Sequence, residues 1–291
     1  MPKDCKNLQG IEHRYWHNLY GMYMQSATAD GLTSRTALIP TPSTTAGSLL
    51  GGISSFLMPS KSPADAVVTA TPSPQRPFVL SRAFWAGSQR YGAIWTGDNA
   101  GTWDHLRIAA PMLLSISIAG LPFAGADVGG FFQDPSAELF TRWYQAGSFT
   151  PFFRGHAHHD TKRREPWVYG EPYTTILRDA AIVRYALLPY WYSVFYESYR
   201  YGLPIMRPMF TEFPDDSKTF TIDNQWMIGS ALLVCPVTHE GAVEAQVYFP
   251  SRSGPWYDYY TYEAFASVAD GGELRTVSAP LEKLPVFIRG G

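Results

Sequence analysis

Charge is scarce in this chain of 291 residues, with Asp, Glu, Lys and Arg together making up 16%. That excludes a coiled coil or a solvated disordered chain. Cysteine is scarcer: Cys5 and Cys235 are the two present, too few for a disulfide framework and not placed like a zinc pair. Asp, Arg, Gly or Pro interrupts every hydrophobic run, so no stretch approaches the ~20 apolar residues that cross a bilayer, and no membrane insertion is expected. There is no basic excess either. With 23 Lys and Arg against 25 Asp and Glu, the formal net charge is −2, which gives no field for nucleic acid or anionic membrane and points to a small or neutral partner. Met1 is followed by Pro-Lys-Asp-Cys-Lys, not by the basic start and apolar stretch of a secretory leader.

What the chain does have is apolar and aromatic residues: 45% hydrophobic, with 9 Trp, 18 Tyr and 17 Phe. Flat rings beyond the needs of a core suit a surface on which the C–H faces of a sugar pack. Tyr15, Leu19, Met22 and Tyr23 recur at helical spacing, which predicts a helix over 11–32 ending at Gly31 with those side chains as its packing face. From 34 to 75 the composition shifts to Pro, Ser, Thr, Ala and Gly without a sustained period, the pattern of a flexible insertion. Its middle, 49–58, is apolar enough to dock but too short to span a membrane.

From Pro77 onward, short apolar runs at 78–80, 92–95, 121–124 and 149–153 alternate with helical patterns at 104–118 and 137–147. Each run ends in residues with chemistry: Ser81-Arg82, Thr96-Gly-Asp98-Asn99, Gly125-Ala-Asp127-Val-Gly-Gly130 and Arg154-Gly-His156. In a (β/α)8 barrel, active-site groups gather at the C-terminal ends of the strands. Four such ends in succession predict the second half of a TIM barrel, closed by a long helix over 173–201 that bends near Pro189. Beyond Pro204 the pattern turns alternating and turn-rich, as in 231–234 and 246–249, predicting a small antiparallel β domain. The expected division is therefore 1–203, with the insertion at 34–75, and 204–291.

Four long motifs carry a resemblance to glycoside hydrolase family 31. The stretch 76–90, Arg-Pro-Phe-Val-Leu-Ser-Arg-Ala-Phe-Trp-Ala-Gly-Ser-Gln-Arg, resembles that family's fifth strand and loop, and Trp95-Thr-Gly-Asp-Asn99 its sixth with the catalytic acid. Gly125-Ala-Asp-Val-Gly-Gly-Phe131 and Phe152-Phe-Arg-Gly-His156 resemble the seventh and eighth. The segment 158–167 is similar to the glucosidase II branch in particular. The resemblance implies a retaining exo-α-glucosidase that removes terminal α-linked glucose, α-1,3-linked on N-glycans, without cofactor or metal. It further implies the endoplasmic reticulum lumen and a β subunit as partner. The family's nucleophile lies in a Trp-x-Asp-Met-Asn-Glu segment that is absent from these residues. The expectation is a fragment of the enzyme, inactive alone; the alternative is a non-catalytic glycan-binding or regulatory relative.

Retaining hydrolysis uses two carboxyl groups, one attacking the anomeric carbon and one protonating the departing oxygen. Asp98 is the expected general acid/base, in a partly apolar setting beside Trp95 that would raise its pKa. Otherwise Asp98 is an ordinary turn residue capping the next segment. The resemblance implies that Arg82, Asp127 and His156 hold the sugar hydroxyls and that Trp95 and Phe131 wall the pocket. The structural alternative is a buried salt bridge between Arg82 and an acid such as Asp127, and for Trp95 and Phe131 ordinary core. Arg154 would orient neighbouring carboxylates. His156, His158, His159 and Asp160 have the residue types and spacing of a metal site, a reading ranked below loop shaping. Trp143-Tyr144 and 189–192 read as helix packing.

Overall fold

A computed structural model describes residues 1–38, 76–268 and 271–290. The chain opens with a 3-10 turn, His13–Tyr15, and helix α1, His17–Leu38. α1 starts later than the aromatic spacing predicts and runs past Gly31. Its face toward the protein is Gly21, Gln25 and Ala29, whereas Tyr15 and Tyr23 are exposed. Gly21 lets the helix lie close to Ala83, where a Cβ would come within 2.4 Å of the alanine Cβ, and a face of glycine, glutamine and alanine has no apolar period to read. Residues 34–38 of the expected insertion belong to α1; the rest of it, including 49–58, lies outside the described residues.

The β/α rhythm follows. Strand β1 (Leu80–Ser81), β2 (Ala93–Trp95), helix α2 (Trp103–Ile118), β3 (Ala124–Gly125), β4 (Asp127–Val128), α3 (Ala137–Gly147) and β5 (Arg154–Gly155) succeed one another. β1, β2 and β3 form one parallel sheet, and β4 pairs in parallel with β5. The run at 149–153 is not itself a strand: pairing is carried by Arg154–Gly155, with Phe152 N–H donating to Ala124 O just before it. Both helices start where a hydroxyl can accept an orphan N–H. Thr102 accepts from His105 N (3.3 Å) and Ser136 from Leu139 N (3.2 Å).

The predicted long helix is two, α4 (Tyr173–Ala186) and α5 (Leu188–Tyr201), broken at Leu187, two residues before Pro189. Proline fits the first turn of a helix, where its missing N–H has no partner to lose, so the second helix starts there. The remainder is antiparallel: β6 (Met206–Arg207), a short helix α6 (Met209–Glu212), β7 (Trp226–Ile228), β8 (Leu232–Val234), β9 (Glu244–Phe249), β10 (Gly254–Asp258), β11 (Ala264–Val268), β12 (Glu273–Ser278) and β13 (Val286–Arg289). Six of these strands form one sheet in the order β11-β10-β13-β8-β7-β6, while β9 pairs with β12.

One apolar core joins the two regions, with Ile94, Leu113 and Phe149 packing with Trp191, Met206, Trp226 and Val286. Buried Arg142 on α3 reinforces the joint. Its guanidinium donates to the carbonyls of Ala242, Ala279, Pro280 and Lys283 at 2.8–3.2 Å. Trp143 and Trp191 are core, as their helical setting predicts, but Tyr192 in the same aromatic stretch is exposed.

Candidate active site

Asp98 follows β2 on the polar end of the strand. Helix α2 is capped by Thr102, not by Asp98, so the plain capping role is filled by another residue. The cleft that the carboxylate lines carries apolar groups, Ile108, Ala109, Pro111 and Met112 among them, and the carboxylate also faces a cation. Arg82, on the loop after the neighbouring strand β1, places Nη1 3.4 Å from Asp98 Oδ2, and both side chains are partly open to solvent. The salt-bridge alternative for Arg82 is thus met by Asp98 and not by Asp127, and the pair is not buried. β1 and β2 are adjacent and parallel, so residues just past their ends lie side by side.

Asp127 pairs instead with Arg154, its directly opposite residue in the β4–β5 register. Arg154 Nη2 donates to Oδ1 at 2.6 Å, and the aspartate side chain is buried. The guanidinium lies over the rings of Trp95 and Phe152, 5.2 and 5.7 Å from their centroids, which desolvates and orients it. Arg154 thereby orients a carboxylate, while Trp95 holds the arginine. Burial pushes the Asp127 carboxyl above its usual range; Arg154 and His156 pull it back and Asp98 adds to the rise. Its second oxygen, Oδ2, is buried and has no hydrogen-bond partner.

Asn99 links these groups. Its Nδ2 donates to Asp127 O (3.0 Å), and its Oδ1 and backbone O both accept from Phe131 N (2.9 Å). Gly130 makes the approach possible. Its φ is +80°, and a Cβ there would lie 2.2 Å from Gly101 N, a position open to glycine alone. Phe131 O in turn accepts from His158 N at 2.8 Å. The Phe131 ring stacks on His156 with centroids 5.3 Å apart and meets His158 edge-on at 5.6 Å. The loops after β2, β4 and β5 are therefore one connected surface holding Asp98, Asp127, Phe131 and His156.

His158, His159 and Asp160 offer three donor atoms within 4.8 Å of one another, without His156. The cluster is bonded to itself. His158 Nδ1 accepts from Asp160 N (3.3 Å), and His159 Nε2 lies 3.2 Å from Asp160 Oδ1. These contacts give the loop its shape.

Some residues at the site are not marked in the sequence. Asn99 reads as a turn residue, and only its contacts across 28 and 32 positions give it an organising role. A cleft of about 980 Å³ beside Asp98 is also lined by Thr221, Asp223, Asn224 and His239, from the C-terminal region, where no motif marked them.

Chemically, the site sets an open carboxyl group next to a cation and a buried carboxylate with one free acceptor, all beside aromatic faces. The first can exchange a proton with a reacting group, and the second can take a hydroxyl hydrogen bond.

Comparison with known proteins decides the family. The Glycosyl hydrolases family 31 TIM-barrel domain matches residues 1–194, and the family's C-terminal domain matches 202–291. The chain belongs to glycosyl hydrolase family 31. Within it, the chain is 46% identical over 291 residues to neutral alpha-glucosidase AB of Mus musculus, covering 100% of this chain and 27% of that protein. It superposes on a glucosidase II alpha subunit with bound Glc1Man2 at a TM-score of 0.84 and 44% identity, covering 100% of this chain and 28% of the other. A complex of the glucosidase II catalytic subunit with the binding domain of its regulatory subunit matches with a TM-score of 0.83 at 44% identity, over 100% and 28% of the two chains. The chain thus spans little more than a quarter of the length of these family 31 relatives.

Proposed function

We propose that this chain supplies the proton-donating side of a retaining exo-α-glucosidase site that removes terminal α-linked glucose, α-1,3-linked on N-glycans. Asp98 acts as general acid/base, protonating the departing oxygen and then activating water to release the glucose from a covalent intermediate. Arg82, Asp127 and His156 hold hydroxyls of the terminal glucose, with Trp95 and Phe131 as walls. The unpartnered Oδ2 of buried Asp127 is the observation that carries the reading. A buried carboxylate oxygen without a donor costs free energy that a sugar hydroxyl would recover.

The nucleophile comes from outside these residues, whose sequence lacks the Trp-x-Asp-Met-Asn-Glu segment, so the chain alone does not turn over. The working division is 1–203 for the barrel part and 204–291 for the β domain; the end of α5 at Tyr201, with Gly202 at φ +71°, supports it. The similarity to glucosidase II alpha subunits supports the endoplasmic reticulum lumen as location and a regulatory β subunit as partner.

The test is a chimera in which this chain replaces the matching quarter of the mouse relative, assayed on p-nitrophenyl α-glucoside. The chimera should hydrolyse with retention, Asp98→Asn should lower kcat by about 10²–10⁴-fold, and the chain alone should be inactive. Full activity of the Asp98→Asn chimera sinks the assignment.

A further inference from the structure

The segment after β5 gathers lone pairs that the proposed reaction does not use. His158, His159 and Asp160 bring three donor atoms within 4.8 Å of one another. Asp160 faces both rings at once, with Oδ1 3.2 Å from His159 Nε2 and Oδ2 3.5 Å from His158 Nδ1. Ligands held at the ~2.0–2.1 Å of zinc–nitrogen and zinc–oxygen bonds lie roughly 3.3–3.4 Å apart along the edge of a tetrahedron. The two separations bracket that edge.

Neighbouring side chains of an extended chain face opposite ways, and a turn at 159–160 is what brings the two imidazoles together, with ring centroids 4.1 Å apart. The turn is tied down from outside. His158 N donates to Phe131 O (2.8 Å), Thr161 N and Oγ1 donate to His158 O (3.0 and 2.8 Å), and Lys162 N donates to Asp134 Oδ1 (2.6 Å). The His158 ring meets Phe131 and Phe132, both at 5.6 Å. Ligands fixed in advance lose less freedom when an ion arrives. Neighbouring cations are occupied elsewhere: Arg163 by Glu165 at 2.8 Å, Arg164 by the carbonyls of Gly130, Lys162 and Gln133, and Lys162 over the Tyr169 ring at 3.9 Å. The competitor for His158 Nδ1 is Asp160 N–H at 3.3 Å, longer than the ~2.9 Å typical of such bonds. The side chains of His159 and Asp160 are 81% and 74% exposed, which gives an ion and its waters access.

The geometry points to a surface site for a divalent transition cation of the zinc type, held by His158, His159 and Asp160 with water completing its shell. Two imidazoles and one carboxylate suit such a borderline cation, whereas magnesium and calcium take shells of oxygen. The ion takes no part in the chemistry at Asp98, and the site stands or falls independently of the glucosidase reading. Its effect is local: it clamps the turn whose His158 N–H holds the Phe131 carbonyl.

The test is calorimetric titration of the 291-residue chain with zinc chloride and then with magnesium chloride, on a Cys5→Ser background that removes the exposed thiol. Zinc should bind one to one, and magnesium should not bind. His159→Gln and Asp160→Asn, both at exposed positions, should each weaken zinc by at least the about 10–100-fold that loss of an outer-shell partner costs. His17→Gln, which breaks the imidazole pair of His13 Nε2 and His17 Nδ1 at 2.7 Å, should leave zinc binding unchanged. Zinc should also raise the melting temperature of the parent and not that of His159→Gln, since an ion that binds the folded loop stabilises it. The site is overturned by an absence of zinc binding, by binding that survives both loop variants or falls with His17→Gln, by equal binding of magnesium, or by a melting temperature that zinc leaves unmoved.

Discussion

Buried aspartates at the strand ends and in the C-terminal sheet region are treated in opposite ways. Asp216, between α6 and β7, has every oxygen engaged: Tyr248 OH and Ser251 N donate to Oδ2 at 2.7 and 2.9 Å, and Lys218 N to Oδ1 at 3.2 Å. Asp258 at the end of β10 accepts from Tyr260 N, Thr261 N and Lys283 Nζ at 2.7–3.1 Å. Burial opposes ionisation in both, yet these donors hold both carboxyls below their usual range. Asp127 has one strong donor and one bare oxygen, and there burial wins and the carboxyl moves up. Acids in the β region are finished structure. The one at the strand end is left incomplete, as an acceptor that a ligand can complete.

Three measurements sharpen or break this contrast. The largest effect should come from Arg154→Met, which strands the Asp127 charge in the interior. Urea unfolding should show a loss of about 3–5 kcal/mol, against at most about 1 kcal/mol for Arg82→Met, whose ion pair is partly open to water. Equal costs would mean that the two strand-end pairs do not differ.

Next is pH. The depressed folded pKa of Asp216 means that its stabilisation is present above the unfolded value of about 3.9 and is lost as pH falls through the folded one. Asp216→Asn should therefore cost about 2 kcal/mol at neutral pH, with the gap to wild type closing below about pH 4. For Asp127 the sign reverses. Its raised folded pKa gives a contribution present below about 3.9 and lost as pH rises, so wild type should lose ground to Asp127→Asn on going from acid to neutral. Parallel trends in the two variants would remove the contrast.

The smallest effect is on the thiols. Cys235 is buried in the β core, and its thiol is pushed up to about 12 by that burial, whereas Cys5 is exposed. A thiol reagent should label one cysteine in the native chain and both in denaturant.

Local chemistry was well marked in the sequence, and pairing was not. Helix 137–147 is legible because Ser136 caps it and Leu139, Phe140, Trp143 and Ala146 form its buried face. The strand ends that carry Arg82, Asp98, Asp127 and Arg154 are legible because each apolar run stops at a charged or glycine-rich segment. Which arginine meets which aspartate depends on strand register, through Asp127 opposite Arg154, and no local pattern encodes register between strands 27 positions apart. Helix α1 misleads for a related reason. Its contact face is built from Gly21, Gln25 and Ala29, while the conspicuous aromatics at 15 and 23 point away from the core.

Asn99 carries a consequence for anyone re-engineering this surface. Because it holds both the peptide of Phe131 and the carbonyl of Asp127, the segment bearing the acid and the segment bearing the aromatic wall cannot be exchanged one at a time. A transplanted 129–133 loop must arrive with a donor N–H at the same spot, and a new 97–100 turn must bring its own carboxamide. The two are a single inheritable cassette, to be recombined together or left alone.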